Sequence, residues 1–455
     1  MAYQTINPYT NQVIKTYENS SDADLEQALT ATHQQYLDWR QQPMSARKVI
    51  LHQIAKLMRT EKTALAKIVT VEMGKLIGEA EDEVLLCADI ADYFADHAAE
   101  FAQPRPLKTD IGAAYYQKQA LGVLFMVEPW NFPYYQIMRV FAPNFMIGNP
   151  LLLKHASNTP GSATAFVDVI RRAGAPVASL INLFVDYDQV AKAIGDSRVA
   201  GVALTGSERG GASVAQTAGA NLKKSTMELG GNDPFIVLED ADMTKVAQWA
   251  PTARLANAGQ ICAASKRFIV MADKYEEFLT MLKTAFATVK PGDPMDRTTT
   301  LVPMSSAHSK ATLQKQVDAA VAAGAKVYYG NEQIDLAGQF FQPTILTDID
   351  AKNPAYNQEL FGPVASVYKV QTEAEAIQLA NDSSYGLGSS IFSENTAHAQ
   401  AVAEQIEAGM TFINRAWATL PELPFGGVKN SGYGREMFEL GFDAFVNEHL
   451  VVNAK

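Results

Sequence analysis

Only two thiols occur in the 455 residues, and one of them, Cys262, stands in the run GQICAASKRF at 259–268, between Gly259-Gln260 and Lys266-Arg267. A cysteine becomes a nucleophile when its thiolate is favoured by nearby positive charge, a helix N-terminus or an adjacent base. The run after Cys262 can open with a helical turn before a strand, and Lys266 and Arg267 add positive potential. Isolated cysteines are also common packing residues, so spacing alone leaves both roles open. Cys87, inside the helical pattern EVLLCADIADYF, suits the packing role better.

Three further stretches carry groups suited to chemistry at a carbonyl. In TMELGGNDPFIVL, Glu228 precedes two glycines and a strongly apolar strand; it is either a turn residue or a general base whose pKa is lifted by a partly apolar site. In VEPWNFPYYQIMR, Asn131 stands between Trp130 and Phe132 and is flanked by Pro129 and Pro133. Such an amide either caps the following helix or offers a rigid, neutral donor to a developing oxyanion. In ALTGSERGG at 203–211, Gly206 and Ser207 join an apolar strand to a helical pattern, so they form either a plain turn or an anion cradle of backbone amides. No G-x-G-x-x-G fingerprint accompanies them, and the seven histidines show no paired Cys/His spacing, so no metal site is expected.

The elements that must position these groups are legible from periodicity. Ser21 ahead of DADLEQALTATHQQYLDW, with Leu25, Leu29 and His33 at i, i+4 spacing, predicts a capped helix. A long helical stretch follows from about Ser45 to Phe101. The runs GVLFMVEP, PLLLKHA, INLFV, VAGVALTGS and PFIVL read as buried strands, each followed by a helical pattern. A second series runs from KRFIVMA through AKVYYG, PTILTDI, VASVYKV and SSIFS to GMTFIN, which predicts two doubly wound α/β domains. The segment DIGAAYYQKQALGVLF alternates like a hairpin, and FVNEHLVVNAK reads as one more strand. Detached strands of this kind commonly join the sheet edge of a second subunit.

Composition narrows the class. With 38 Lys plus Arg against 49 Asp plus Glu, the net charge is −11, the wrong sign for a nucleic-acid partner. The start MAYQTINPYTNQ carries no leader pattern and every long apolar run is broken by proline or asparagine, so neither a signal peptide nor a membrane span is expected. Two thiols in so long a chain suit a reducing compartment and predict a cytoplasmic location.

Taken in order, PWNFP at 129–133, LLLKHAS at 151–157, LTGSERGG at 204–211, MELGGNDPFIV at 227–237, GQICAASKRF, QELFGPV at 358–364 and PFGGVKNSGYGRE at 424–436 resemble the aldehyde dehydrogenase superfamily along essentially the whole chain. The resemblance implies two Rossmann-like domains and a small β oligomerisation element. Residues 1–108 and 127–227 would bind cofactor, 228–425 would be catalytic, and 109–126 with 436–455 would supply the strands of a homodimer or homotetramer. It also implies that Cys262 is the nucleophile, Glu228 the base for the deacylating water, and Asn131 half of an oxyanion hole completed by the Cys262 N–H. Trp130, Gly206 and Ser207 would line the cofactor site, with Ser207 at the pyrophosphate. Glu359 and Phe361 would hold the nicotinamide ribose, and Lys154 the adenine-side ribose.

Two departures from the family pattern refine this expectation. Where many NAD-preferring members carry Lys-Pro-x-Glu, this chain has Lys154-His155-Ala156-Ser157. A carboxylate there repels a 2′-phosphate, whereas the Ser157 hydroxyl can donate to it and Lys154 can pair with it, so NADP is expected, with NAD possible. His155 is expected to fill a turn. Arg139 stands among Ile137, Met138, Val140 and Phe141, and a cation on an apolar helix calls for an anionic partner. Arginine at this place resembles the branch of the superfamily that oxidises succinate semialdehyde, where it grips the distal carboxylate; Tyr135 and Thr419 are candidate secondary contacts. The competing expectations are another aldehyde as substrate, a cofactor-independent thiol esterase, and a non-catalytic protein on the same fold.

Overall fold

The computed structural model describes residues 2–454. Two open sheets dominate it. The first has six strands in the order Gly432–Tyr433, Lys224–Glu228, Val199–Thr205, Val123–Glu128, Leu151–His155 and Leu180–Asn182, parallel except for the first. Its side chains alternate between two cores: Val123 and Phe125 face one together with Leu25, Leu29 and Val190, while Leu124 and Met126 face the other, under helices Ile77–Phe101 and Tyr135–Ile147. Helices on both faces explain why its strands read as unbroken apolar runs.

The second sheet has seven strands in the order Lys326–Tyr329, Thr344–Thr347, Val364–Val370, Ser265–Met271, Asp233–Val237, Gly388–Phe392 and Met410–Ile413, parallel except for the first. The chain is thus doubly wound α/β, as its periodicity predicts. A smaller antiparallel sheet, Val446–Ala454, Gly112–Ala120 and Arg105–Leu107, stands apart from both.

Local signals account for most element ends. Helix Asp22–Trp39 starts at Ser21, whose hydroxyl accepts from Asp24 N while Asp24 caps Ser21 N in return. The stretch expected as one long helix from about Ser45 is three helices, Met44–Thr60, Lys62–Met73 and Ile77–Phe101. The second ends at Gly74, whose φ of 81° is a left-handed stop that periodicity does not reveal.

The hairpin expected across 109–126 does not form. Gly112–Ala120 pairs along its whole length with Val446–Ala454, and Val123–Glu128 pairs with Leu151–His155 and Val199–Thr205. The reason is burial on both faces: Val123, Leu124, Phe125 and Met126 are all buried, so they suit the middle of a parallel sheet, while Gly112–Ala120 alternates and suits a one-sided antiparallel one. Gly122, at φ 144°, separates the two. The C-terminal span 436–455 likewise holds a helix, Phe438–Asp443, packed on Ile77–Phe101 and Tyr135–Ile147, before its strand begins.

Candidate active site

The carboxyl edge of the six-stranded sheet faces the amino edge of the seven-stranded one. From the first edge come Glu128 to Asn131, Lys154 to Ser157, Gly206 and Ser207, and Glu228 to Gly230; from the second come Gln260 to Cys262 ahead of Ser265–Met271, and Glu359 to Phe361 ahead of Val364–Val370. Crevices beyond the carboxyl ends of parallel strands are where open α/β sheets bind ligands. A cavity of about 260 Å³ lies there, lined by Trp130, Asn131, Thr205, Gly206, Ser207, Leu229, Gly230, Cys262, Glu359 and Phe361 among others.

Cys262 is half-buried at this cavity, beside the turn Ile261–Ala264. Burial pushes its thiol up to about 11, with Arg139 and Lys266 opposing and Glu359 and Asp233 adding to the rise. The two cations of the motif act differently from the expectation. Lys266 Nζ donates to the carbonyls of Ile261, Cys262 and Ala264 at 3.0, 2.6 and 3.2 Å and pairs with Glu359 at 3.3 Å, so it bears on the thiol's charge while tying down the thiol's own loop. Arg267 donates to the carbonyls of Asn232, Leu379 and Ala380, so its guanidinium is directed away from the thiol's loop.

Asn131 is buried, and its Nδ2 donates to Gln260 O at 3.0 Å, which sets the amide against the cysteine loop with its second N–H still to spend. The amide of Gln136 meets its Oδ1 at 2.9 Å. His155 does more than fill a turn: Thr159 Oγ1 and the Pro133 carbonyl lie 3.0 and 3.1 Å from its two ring nitrogens, so it ties strand Leu151–His155 to the Asn131 loop. Burial lowers its pKa to about 4, which keeps the ring neutral.

Glu228 is the last residue of its strand, with Thr205 beside it in register on the neighbouring strand. Burial, and then the negative Glu436, push its carboxyl well above the usual range, against Arg139 and Arg435. Arg139 is enclosed by partners from its own chain. Its guanidinium is buried, with Nε paired to Glu436, Nη1 donating to Tyr135 OH at 3.2 Å and Nη2 donating to Thr205 Oγ1 at 2.8 Å. The anion that this cation requires comes from the chain itself, and neither Arg139, Tyr135 nor Thr419 lines the cavity around Cys262. Glu128, also buried, joins the cluster; burial, then Glu436, raise its carboxyl too. Three carboxyl groups thus share one guanidinium. Glu128 and Glu436 were within quoted motifs, but nothing in their spacing marks them as partners of Arg139.

The cofactor-side residues fit an anionic dinucleotide. Ser207 caps helix Glu208–Ala220, its hydroxyl accepting from Gly210 N at 3.3 Å, at the helix end that favours an anion. Gly230 leaves room that a side chain would close, since a Cβ there would lie 2.5 Å from Glu359 Oε2. Trp130 and Phe361 meet edge to face at 5.8 Å. Lys154 is buried with its ammonium 5.8 Å from the ring centres of both Tyr3 and Tyr187, and burial lowers it to about 8. Among the described residues no carboxylate pairs with it, so the site has a cation in want of an anion beside Ser157.

Comparison with known proteins gives this arrangement its class. The aldehyde dehydrogenase family matches residues 1–451, and the chain belongs to that family. A succinate-semialdehyde dehydrogenase [NADP(+)] of Deinococcus radiodurans is 44% identical over 99% of this chain and 94% of its own. One of the same name from Mycobacterium avium is 42% identical over 99% of this chain and 96% of its own. The crystal structure of succinic semialdehyde dehydrogenase from Streptococcus pyogenes in complex with NADP+ superposes with a TM-score of 0.99 at 55% identity, covering all of both chains.

The thiol's raised pKa has a direct consequence in the free protein. Because the thiolate is the reactive form, alkylation of Cys262 by iodoacetamide, followed by peptide mass spectrometry, is expected to accelerate steadily from pH 7 to pH 10, without the early plateau of a thiol activated at neutral pH.

Proposed function

We propose that the protein oxidises succinate semialdehyde to succinate, with NADP as the preferred hydride acceptor. What carries this reading is the coincidence of two things: full-length relatives of that name at 44% and 42% identity, and a buried, unpaired Lys154 next to Ser157 where a 2′-phosphate would supply the missing anion.

In this reading the Cys262 sulfur, as thiolate, forms a bond to the aldehyde carbon, and the carbonyl electron pair moves to oxygen. That oxyanion is held by the free N–H of the Asn131 amide and by the Cys262 N–H. Bound NADP supplies the acceptor for the hydride that this carbon then releases. The carbon is left as a thioester on Cys262, and Glu228, a strong base for a carboxylate because it is buried, takes a proton from the water that attacks it. Succinate leaves and the sulfur returns as thiolate. Ser207 and the amides behind it would hold the pyrophosphate, Glu359 and Phe361 the nicotinamide ribose, with Trp130 and Gly206 walling the site.

Arg139 serves the substrate through Tyr135. With Arg139 donating to the phenol oxygen, the Tyr135 hydrogen is left to donate to a distal carboxylate that reaches past the cavity lining, and Tyr135, outside that lining, lies close enough to Cys262 for the two to interact electrostatically. Thr419, on the loop between Asn414 and Pro421, is the secondary contact. The sheet of Gly112–Ala120 and Val446–Ala454 joins subunits into a homodimer or homotetramer, supported by exposed Leu107, Tyr115, Leu450 and Val452 on it. The location is cytoplasmic, which two unbridged cysteines suit.

Purified protein with succinate semialdehyde is expected to form one NADPH per succinate, and Cys262→Ala to form none. Acid production without nucleotide would overturn the dehydrogenase reading in favour of a thiol esterase. Ser157→Glu is expected to lower kcat/KM for NADP by roughly tenfold or more, the effect of about 1.4 kcal/mol of repulsion, and to spare NAD; parallel titrations of both nucleotides read this out. Tyr135→Phe is expected to raise KM for succinate semialdehyde by about tenfold, as loss of a hydrogen bond to a charged group implies, and to leave the KM of butanal, which lacks the carboxylate, unchanged.

A further inference from the structure

Near the start of helix Ile77–Phe101, Glu79 and Glu83 lie one turn apart, and each reaches a different half of the site. Glu83 Oε1 accepts from the backbone N–H groups of Tyr134 and Tyr135 at 2.8 and 3.1 Å, at the start of helix Tyr135–Ile147. Its other oxygen pairs with Lys75, whose ammonium lies 3.6 Å from the ring centre of Phe132, the neighbour of Asn131. Glu79 accepts from the N–H of Asn257 with both oxygens, at 3.0 and 3.2 Å, across 178 residues of chain.

Asn257 opens an unusual turn. Three successive residues are left-handed, Asn257 at φ 51°, Ala258 at 52° and Gly259 at 73°. Only the last is a glycine, and the Ala258 methyl adds to the steric cost without a polar group that could bond locally, so the turn has to be held from outside. It leads within three residues to Cys262. Asn257 Nδ2 also donates to the carbonyls of Asn131 and Gln260, at 3.2 and 3.3 Å, so the same residue touches the oxyanion loop and the nucleophile loop.

We propose that Glu79 is a positioning residue for the nucleophile: its carboxylate holds the left-handed turn Asn257–Gly259 so that Cys262 meets an aldehyde whose oxygen lies on Asn131, while Glu83 sets the Asn131 side from the same helix. The inference rests on Cys262 being the nucleophile. A competing role is purely local, because Glu79 lies in the first turn of its own helix, where any acidic side chain favours the positive end of the helix. The two roles part on side-chain length. Aspartate keeps the charge in that first turn and withdraws it from Asn257, whereas glutamine loses the charge and keeps an acceptor within reach.

The test compares full-length Glu79→Asp and Glu79→Gln with the wild type by kcat, by the rate of iodoacetamide alkylation of Cys262 and by the Kd of NADP. Glu79→Asp is expected to lower kcat by about tenfold to a hundredfold, the effect of a small misplacement at the reacting centre. It should also change the alkylation rate and leave NADP affinity as it was, and Glu79→Gln should retain most of the wild-type kcat. Wild-type kcat and alkylation in Glu79→Asp would overturn the proposal, as would equal losses in both variants accompanied by weaker NADP binding, the signature of general loosening. A wild-type protein that neither oxidises succinate semialdehyde nor loses activity on alkylation of Cys262 would instead remove the nucleophile reading itself, before any variant is compared.

Discussion

Residues 256–264 cross the seam between the two sheets with little regular secondary structure, and their buried polar groups need hydrogen-bond partners other than a sheet ladder. Buried cations supply them. Arg254 donates to the carbonyls of Gly259, Leu360 and Gly362, and Lys266 to those of Ile261, Cys262 and Ala264. Because Arg254 serves Gly259 and Leu360 with one nitrogen, it also draws the Glu359 loop onto the cysteine loop. A charged donor serving several carbonyls is stronger than the neutral bonds of a sheet, so an irregular segment can be as fixed as a strand. Cys262 is therefore presented by a loop that buried cations tie to its surroundings at several carbonyls.

Behind Thr205 and Leu229, which line the cavity, lies an excess of buried negative charge. Glu228 and Thr205 lie side by side on neighbouring strands, Glu128 ends the next one, and Glu436 comes in from the segment after the second sheet. Arg139 is the cation shared by all three carboxyls; burial raises each of them above the usual carboxylate range, and repulsion from Glu436 adds to the rise at Glu128 and Glu228. Glu228 is accordingly one member of a coupled group, and its proton belongs to that group rather than to one side chain. Gly432–Tyr433, which pairs with Met227 and Glu228, brings the Glu436 segment back to the first sheet and so completes this cluster.

Much of this was legible in the linear chain, for identifiable reasons. Strands such as VLFMVE and VAGVALT are recognisable because burial on both faces forces an unbroken apolar run, and helix Asp22–Trp39 because its capping box is local. Cys262, Glu228 and Asn131 stand out because each sits where an apolar run meets a turn, and their joint order carries the family resemblance. The break at Gly74 and the parting of Gly112–Ala120 from Val123–Glu128 were not legible. A left-handed stop and the choice of strand partner both depend on surroundings that local periodicity does not encode.

Arg139 marks the boundary most clearly. Its sequence neighbours state that the cation is buried and must meet an anion, and that much is determined by residue type. Which anion it meets is decided by Glu436, almost three hundred residues away, and by Thr205 and Tyr135 at its other nitrogens. The same holds for Lys266 and Arg267, whose charge is evident beside Cys262 but whose donors are spent on backbone carbonyls. The sequence determined the buried strands, the capped first helix and the family, because these follow from local pattern and side-chain chemistry. The tertiary structure alone decided the partner of every buried charge, because a charge inside a protein binds whatever complementary group folding brings within a few ångströms.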